Sequence, residues 1–215
     1  MNIKKTANLV LNFAIKRIAE IFGIIIFVSG ILLFASLISY SPDDPNFIFP
    51  ENTQIKNLLG FQGSFISDLF FQAVGLIAYL ISITFLITGI NIFNSKEFFL
   101  FIENIFFVVL YAIFGTLLLS YYYSDTFNIY INGNGGFVGN YLKQTFLSSL
   151  LISNEEIFYY ILLLITSILF LISINFNRKK FILIIKKIFN LFQKDNKIYT
   201  DKSEIINEYI PQDEI

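Results

Sequence analysis

Long uncharged stretches separated by short polar breaks dominate the hydrophobic pattern of this chain. The first, residues 21–40, reads IFGIIIFVSGILLFASLISY and contains no charged side chain. A helix rises about 1.5 Å per residue, so about twenty apolar residues cross a hydrocarbon core of about 30 Å. Three later stretches are of similar length. The pattern predicts membrane spans at about 21–40, 71–93, 104–123 and 157–177.

The predicted fold class is therefore an all-α membrane protein. Charged residues make up 14% of the chain, whereas a soluble domain carries about 25%. A buried soluble core would not require several uncharged runs of spanning length. The first run is longer than the apolar core of a signal peptide and no small-residue cleavage site follows it, so we expect it to be retained.

Two amphipathic segments and a basic segment accompany the four predicted spans. Residues 1–20 place basic side chains between apolar positions at helical spacing, which predicts a cytoplasmic basic amphipathic helix on the membrane or a frayed terminus. Apolar residues from Phe137 to Leu151 mark one helical face, which predicts an amphipathic extracytoplasmic helix. Residues 21–177 would form the membrane domain. Residues 178–215 would form a basic juxtamembrane helix and the start of a linker.

Small residues recur every seven positions in the second uncharged run. Gly75, Ser82 and Gly89 would share one helical stripe. Small side chains on one stripe let a neighbouring helix approach closely, so the pattern favours helix packing over a ligand site.

The distribution of basic residues predicts the orientation. Thirteen of the 15 Lys and Arg residues lie in the two termini and in the connection that contains Lys96. The two longer loops carry only Lys56 and Lys143. Because basic residues remain on the cytoplasmic side, both termini are predicted to be cytoplasmic. The loop with Asp43 and Asp44 would then be extracytoplasmic.

The composition excludes several kinds of chemistry. The chain has no Cys and no His, which removes thiolate and imidazole ligands and nucleophiles. The adjacent carboxylates of Asp43 and Asp44 could bind a cation or exchange protons, but that requires convergent partners. Asp and Pro at this density form turns, which is the favoured interpretation. We expect no metal and no cofactor.

Five basic residues adjoin the fourth predicted span. They are Arg178, Lys179, Lys180, Lys186 and Lys187. Each could contribute about 1 kcal/mol of attraction to anionic lipid headgroups. The same cluster could contact DNA phosphates. Its position next to a membrane span favours lipid, so no direct binding of nucleic acid is expected.

The residues that close the first span resemble a family signature. Residues 39–47, SYSPDDPNF, are similar to the pattern S-Y-x-P-x-D-P-S-[WF] in the N-terminal four-helix membrane domain of FtsK/SpoIIIE-type DNA translocases, with Asn46 in place of Ser. Further matches follow later in the same loop and at the start of the second uncharged run, and again in the last external loop. The matching positions, expected to be structural, are Ser39, Tyr40, Pro42, Asp44, Pro45, Phe47, Asn57, Leu58, Leu59, Gly60, Gly63, Asp68, Gly75, Gly135, Gly136 and Gly139.

The resemblance implies a membrane anchor in the bacterial inner membrane at the division septum. In that family a linker joins the anchor to a hexameric ATPase that pumps DNA. The resemblance implies contacts with other division-site membrane proteins, and a homo-oligomer if the chain is linked to the motor. The 215 residues contain no Walker A, Walker B or winged-helix reader, so the chain is expected to be non-enzymatic. The alternative is a small four-span transporter or channel subunit, which would need a polar pathway through the bundle; the absence of charge inside the predicted spans is weak evidence against ion coupling.

Overall fold

The computed structural model of this protein describes residues 3–45, 54–124, 126, 132–145, 154–176 and 186. Regular structure in those ranges is α-helical throughout. The helices are α1 (Ile3–Ile38), α2 (Gly60–Val74), α3 (Ile77–Ser95), α4 (Phe99–Tyr122), α5 (Gly136–Lys143) and α6 (Glu155–Ser173). Four of them, α1, α3, α4 and α6, are long and apolar enough to cross a membrane. The predicted fold class, an all-α membrane protein, is confirmed.

The first spanning stretch belongs to a helix longer than predicted. α1 continues for 36 residues, which corresponds to about 54 Å. The predicted boundary near residue 20 is not a break, because residues 3–22 contain neither glycine nor proline. Arg17 and Glu20 form an ion pair one turn apart on this continuous helix. Helix α1 ends at Ile38, close to the predicted exit, and Pro42 follows.

The second uncharged run contains two helices rather than one. α2 ends at Val74, Gly75 has a φ of 58°, and α3 begins at Ile77. The predicted span of 71–93 therefore starts too early, because it includes the last turn of α2. The predicted stripe of small residues is also divided: Gly75 lies in the break, whereas Ser82 and Gly89 remain on α3.

The other two spans differ from their predicted limits mainly at one end. The third begins at Phe99 instead of residue 104 and ends at Tyr122. The helix begins before Glu103 because apolar residues also precede that position. The Glu103 side chain is exposed near the first turn of the helix. The fourth, Glu155–Ser173, begins two residues before the predicted start. It ends at Ser173, four residues before the predicted end at 177. Residue 177 itself lies outside the described residues.

Helices α1 and α3 approach each other closely at a pair of glycines. A Cβ atom at Gly23 would lie 2.9 Å from the Gly89 carbonyl oxygen, and one at Gly89 would lie 2.7 Å from the Gly23 carbonyl oxygen. The two backbones are therefore in direct contact, as small residues permit in membrane helix pairs.

Replacing Gly89 by alanine should separate α1 from α3 and lower the free energy of unfolding by about 1–3 kcal/mol. The measurement is unfolding in mixed detergent micelles. Ile25→Ala, on a 58% exposed face of α1, is the control and should cost less than about 1 kcal/mol. Equal stability of Gly89→Ala and the unaltered chain would contradict the close contact.

A polar network joins α3, α4 and α6 inside the bundle. Thr84 Oγ1 lies 3.1 Å from Tyr111 OH and 3.3 Å from Ser173 Oγ. Nearer the other end, Asn104 donates to Thr88 Oγ1 at 2.8 Å and accepts from Asn175 Nδ2 at 3.1 Å. These side chains satisfy one another, and each such bond contributes about 0.6 kcal/mol on average. The sequence analysis did not identify this network.

The two ends of the bundle differ. At one end Glu20 of α1 bonds with Lys96 after α3, at 2.9 Å, and the Asn104–Asn175 bond joins the start of α4 to the residues after α6. At the opposite end lie the end of α1, helices α2 and α5, and the start of α6. The N-terminus of α1 and the C-terminus of α6 thus lie at the same end of the bundle. This agrees with the predicted even number of spans.

Candidate functional site

Most of the described residues of the family signature meet at the end of the bundle where α1 terminates. We call this region the cap. It comprises residues 39–45, the segment 54–59, helix α2, the break at Gly75, and residues 132–145 with α5. Its described contacts connect segments that are far apart in the sequence.

Asp44 holds the segment after α1 against the segment before α2. Its side chain is 2% exposed, and its carboxylate accepts the backbone N–H groups of Lys56 and Asn57, both at 2.8 Å. The Asp44 N–H donates to the Ser41 carbonyl, which closes a turn. Hydrogen bonds from backbone N–H groups to a carboxylate are about twice as strong as neutral ones. Asp44 is therefore the central acceptor of the cap.

Asp43 has a different environment. Its side chain is 75% exposed and lies 2.9 Å from Lys56 Nζ. The hydrogen bond to Asp43 raises the pKa of the Lys56 amino group above its usual value. Exposed ion pairs contribute about 0–1 kcal/mol. The two neighbouring acids thus act separately, and within the described ranges no three His, Cys, Asp or Glu residues come together as metal ligands.

Asn57 provides a hydrogen-bond donor for a carbonyl group in the last turn of α1. The last carbonyl groups of a helix lack partners within it. Asn57 Nδ2 donates to the Ser36 carbonyl at 2.9 Å, and its Oδ1 accepts the Leu59 N–H at 3.1 Å. Ser39 Oγ accepts the Leu58 N–H at 3.1 Å. The Leu58 side chain is 75% exposed, so the backbone of this segment makes the contacts with α1.

Gly63 and Ser64 join α2 to α1. Ser36 Oγ donates to the Gly63 carbonyl at 2.6 Å, and a Cβ atom at Gly63 would overlap Asn57 Oδ1. Ser64 Oγ donates to the carbonyl of the buried Pro45 at 3.0 Å. A small residue at position 63 therefore allows α2 to lie against the end of α1.

Aromatic residues link this cluster to the core. Tyr40 OH donates to Asp68 Oδ1 at 3.3 Å, and the Tyr40 ring centroid lies 4.9 Å from that of Phe71. Phe71 in turn packs 5.5 Å from Tyr79, whose OH donates to the Leu37 carbonyl at 3.2 Å. Asp68 and Phe71 are buried. These contacts join α1, α2 and α3.

The second half of the cap seats the last loop on the break between α2 and α3. The Leu76 N–H donates to the Asn134 carbonyl at 2.9 Å. A Cβ atom at Gly75 would overlap that same carbonyl, and one at Gly136 would lie 2.6 Å from the Gly75 nitrogen. The glycines therefore allow two backbone segments to touch.

Helix α5 rests on the end of α4 through two further glycines. Cβ atoms at Gly135 and Gly139 would both overlap Ser120 Oγ. Asn134 Nδ2 donates to the Tyr123 carbonyl, and Lys143 Nζ donates to the Ser120 carbonyl at 3.2 Å. The last loop is thus fastened to α4 as well as to α2.

Two predicted site residues belong to the cap but are not packed within it, and others lie outside the described residues. A Cβ atom at Gly60 would meet no atom within 4 Å. Pro42 is exposed in the turn after α1. Phe47, Arg178, Lys179, Lys180, Lys187 and residues 146–151 of the predicted amphipathic helix lie outside the described residues. Lys186 is an exposed helical residue of a separate unit, residues 177–215.

The sequence analysis missed several residues of the cap. Ser36, Ser64, Ser67 and Asn134 are buried there. Ser64, Ser67 and Asp68 follow a helical spacing within α2 and form a polar face in an otherwise apolar segment, which is a signal that could have revealed them. Ser36 offers a weaker signal, since single serines are common in membrane helices.

Four helices of spanning length, joined at one end by a cap of buried hydrogen bonds, define a multi-pass membrane domain. Residues 15–184 match the family model for the 4TM region of DNA translocase FtsK/SpoIIIE. The chain belongs to this family, and the predicted resemblance is confirmed.

Relatives in three Rickettsia species carry the name DNA translocase FtsK. The chain is 34% identical to that of Rickettsia typhi over 96 residues, which is 45% of this chain and 13% of the relative. It is 30% identical to that of Rickettsia bellii over 132 residues, which is 59% of this chain and 17% of the relative. The chain thus spans less than a fifth of these relatives. No solved structure matches it.

Proposed function

We propose that this chain is the membrane anchor and scaffold domain of an FtsK-like DNA translocase, non-catalytic in itself. It would place a cytoplasmic DNA-pumping ATPase at the division septum of a bacterial inner membrane. The carrying observation is that most of the described signature residues meet in the cap, where they contact one another and the helix ends. Such an arrangement supports a role in holding spans together rather than in catalysis.

The scaffold role would use the outer faces of the spans. In the apolar 18-residue stretch of α6 only 11% of the residues are buried, whereas 33–44% are buried in the corresponding stretches of the other three spans. Among the four spans, α6 therefore has the largest exposed fraction available to other division-site membrane proteins or further copies of this chain. Arg178, Lys179, Lys180, Lys186 and Lys187 would bind anionic lipid headgroups.

The orientation in this proposal has both termini in the cytoplasm. The N-terminus of α1 and the C-terminus of α6 lie at the same end of the bundle, and in the sequence the basic residues concentrate before residue 18, at Lys96 and after residue 177. The cap would then lie on the extracytoplasmic side of the membrane. A cytoplasmic ATPase could not contact it there.

The full chain fused to a fluorescent reporter should concentrate at midcell when expressed in a dividing rod-shaped bacterium. Fluorescence microscopy at low expression gives the ratio of septal to lateral signal per membrane area. An unrelated four-span protein with the same reporter is the control, because a septum contains two membranes and brightens any membrane label.

A septal ratio equal to that control would contradict the placement at the septum. Ion or solute flux through the purified chain in liposomes would instead favour the transporter or channel alternative. The bonds within the Thr84–Tyr111–Ser173 group leave those hydroxyls occupied, which supports the scaffold over a polar pathway.

A further inference from the structure

Helix α2 has its polar face inward and its apolar face outward. The buried residues of α2 are Gly63, Ser64, Ser67, Asp68 and Phe71. Its exposed residues are Phe61, Gln62, Ile66 and Leu69, and three of these four are large and apolar. An amphipathic helix on a water-soluble surface has the opposite arrangement.

The depth of α2 follows from its bonds to α1. Ser36, in the last turn of the spanning helix α1, donates to the Gly63 carbonyl at 2.6 Å. Ser67 Oγ donates to the same carbonyl at 2.8 Å. Because Ser36 lies inside a span, the first turn of α2 lies at the edge of the hydrocarbon core and not far out in water.

The charge and length of α2 agree with this depth. Asp68 is its one charged residue, and it is 6% exposed and bonded to Tyr40. A helix of 15 residues is about 22 Å long, too short to cross a core of about 30 Å. Such a helix can lie in the membrane surface without crossing it.

We propose that α2 is an interfacial helix whose exposed face contacts the acyl chains of the leaflet on the cap side. Phe61, Ile66 and Leu69 are 45%, 40% and 55% exposed, and Leu58, just before the helix, is 75% exposed. The occupant is lipid because the first turn of α2 is bonded to Ser36 of a spanning helix and because α3, which begins three residues after α2 ends, is itself long and apolar enough to cross the membrane. The cap is thus seated in the membrane edge. This inference does not depend on the proposed link to a translocase.

The absence of Trp and Cys in the chain permits a direct test with single tryptophans. Phe61→Trp and Leu69→Trp place the probe on the apolar face of α2 in the full chain in liposomes. Ile25→Trp, on the exposed face of the α1 span, is the lipid reference, and Lys56→Trp, whose native side chain is 63% exposed, is the water reference. Quenching is measured with acyl-chain-brominated lipids and, separately, with acrylamide.

Both α2 probes should emit at shorter wavelength than Lys56→Trp and be quenched by brominated lipid at least about twofold more strongly. Acrylamide quenching like that of Lys56→Trp would overturn the proposal, because it would place the face in water. Protection from both quenchers would also overturn it, because another copy of the chain would then cover the face. Two positions are used so that a local distortion at one of them does not decide the outcome.

Discussion

Replacing Gly75 by alanine should lower the free energy of unfolding by about 3–5 kcal/mol. Gly75 has φ 58° and ψ −141°, a conformation that residues with a Cβ atom rarely adopt. The added methyl group would also overlap the Asn134 carbonyl, which accepts the Leu76 N–H. The substitution would therefore combine backbone strain with separation of the two halves of the cap. Chemical unfolding in mixed micelles measures the loss.

Gly60→Ala is the matched control for Gly75→Ala. Gly60 also has a positive φ, 65°, but a Cβ atom there would meet nothing within 4 Å. It should therefore show only the conformational cost, about 1–2 kcal/mol. Similar losses in the two variants would mean that the contact between Gly75 and Asn134 does not contribute to stability.

Asp44→Ala should cost about 2–5 kcal/mol. The change removes the acceptor of the backbone N–H groups of Lys56 and Asn57, both at 2.8 Å. Since Asn57 is 5% exposed and Asp44 is 2% exposed, water does not replace that acceptor easily. Asp44→Asn keeps one acceptor oxygen and should show a smaller loss. Unfolding in mixed micelles and the yield of monodisperse protein provide the measurement.

Asp43→Ala is the adjacent control. It removes an exposed carboxylate and its ion pair with Lys56, so the loss should be less than about 1 kcal/mol. If Asp43→Ala were as damaging as Asp44→Ala, the cap would depend on the net charge of the turn and not on the hydrogen bonds of one buried carboxylate.

The spans could be predicted because their length and lack of charge are local properties of the chain. The continuation of α1 through residue 20 could not be predicted, because basic side chains are found both in separate surface helices and in unbroken helices that extend beyond the lipid. The break at Gly75 is also not a local property. It depends on contact with Asn134, about sixty positions later, and glycine within an apolar run is equally compatible with a continuous spanning helix.

The cap was only partly predictable for a related reason. The turn at Asp43 and Asp44 follows from its residues, and the structure places both acids in it. The different environments of the two acids follow from backbone N–H groups of residues 56 and 57, which every non-proline residue carries. Residue types therefore gave no sign of which carboxylate would be buried, and only the family signature, which includes Asp44 and not Asp43, separated the two.

The unbroken length of α1 exceeds the thickness of the membrane core. Its 36 residues extend about 54 Å, whereas the hydrocarbon core is about 30 Å thick, so a large part of it projects beyond the lipid. The Gly23–Gly89 contact and the Glu20–Lys96 ion pair fasten α1 to α3 as far as residue 20. The turns of α1 before residue 20 therefore continue the span as one rigid helix on the side of the membrane opposite the cap.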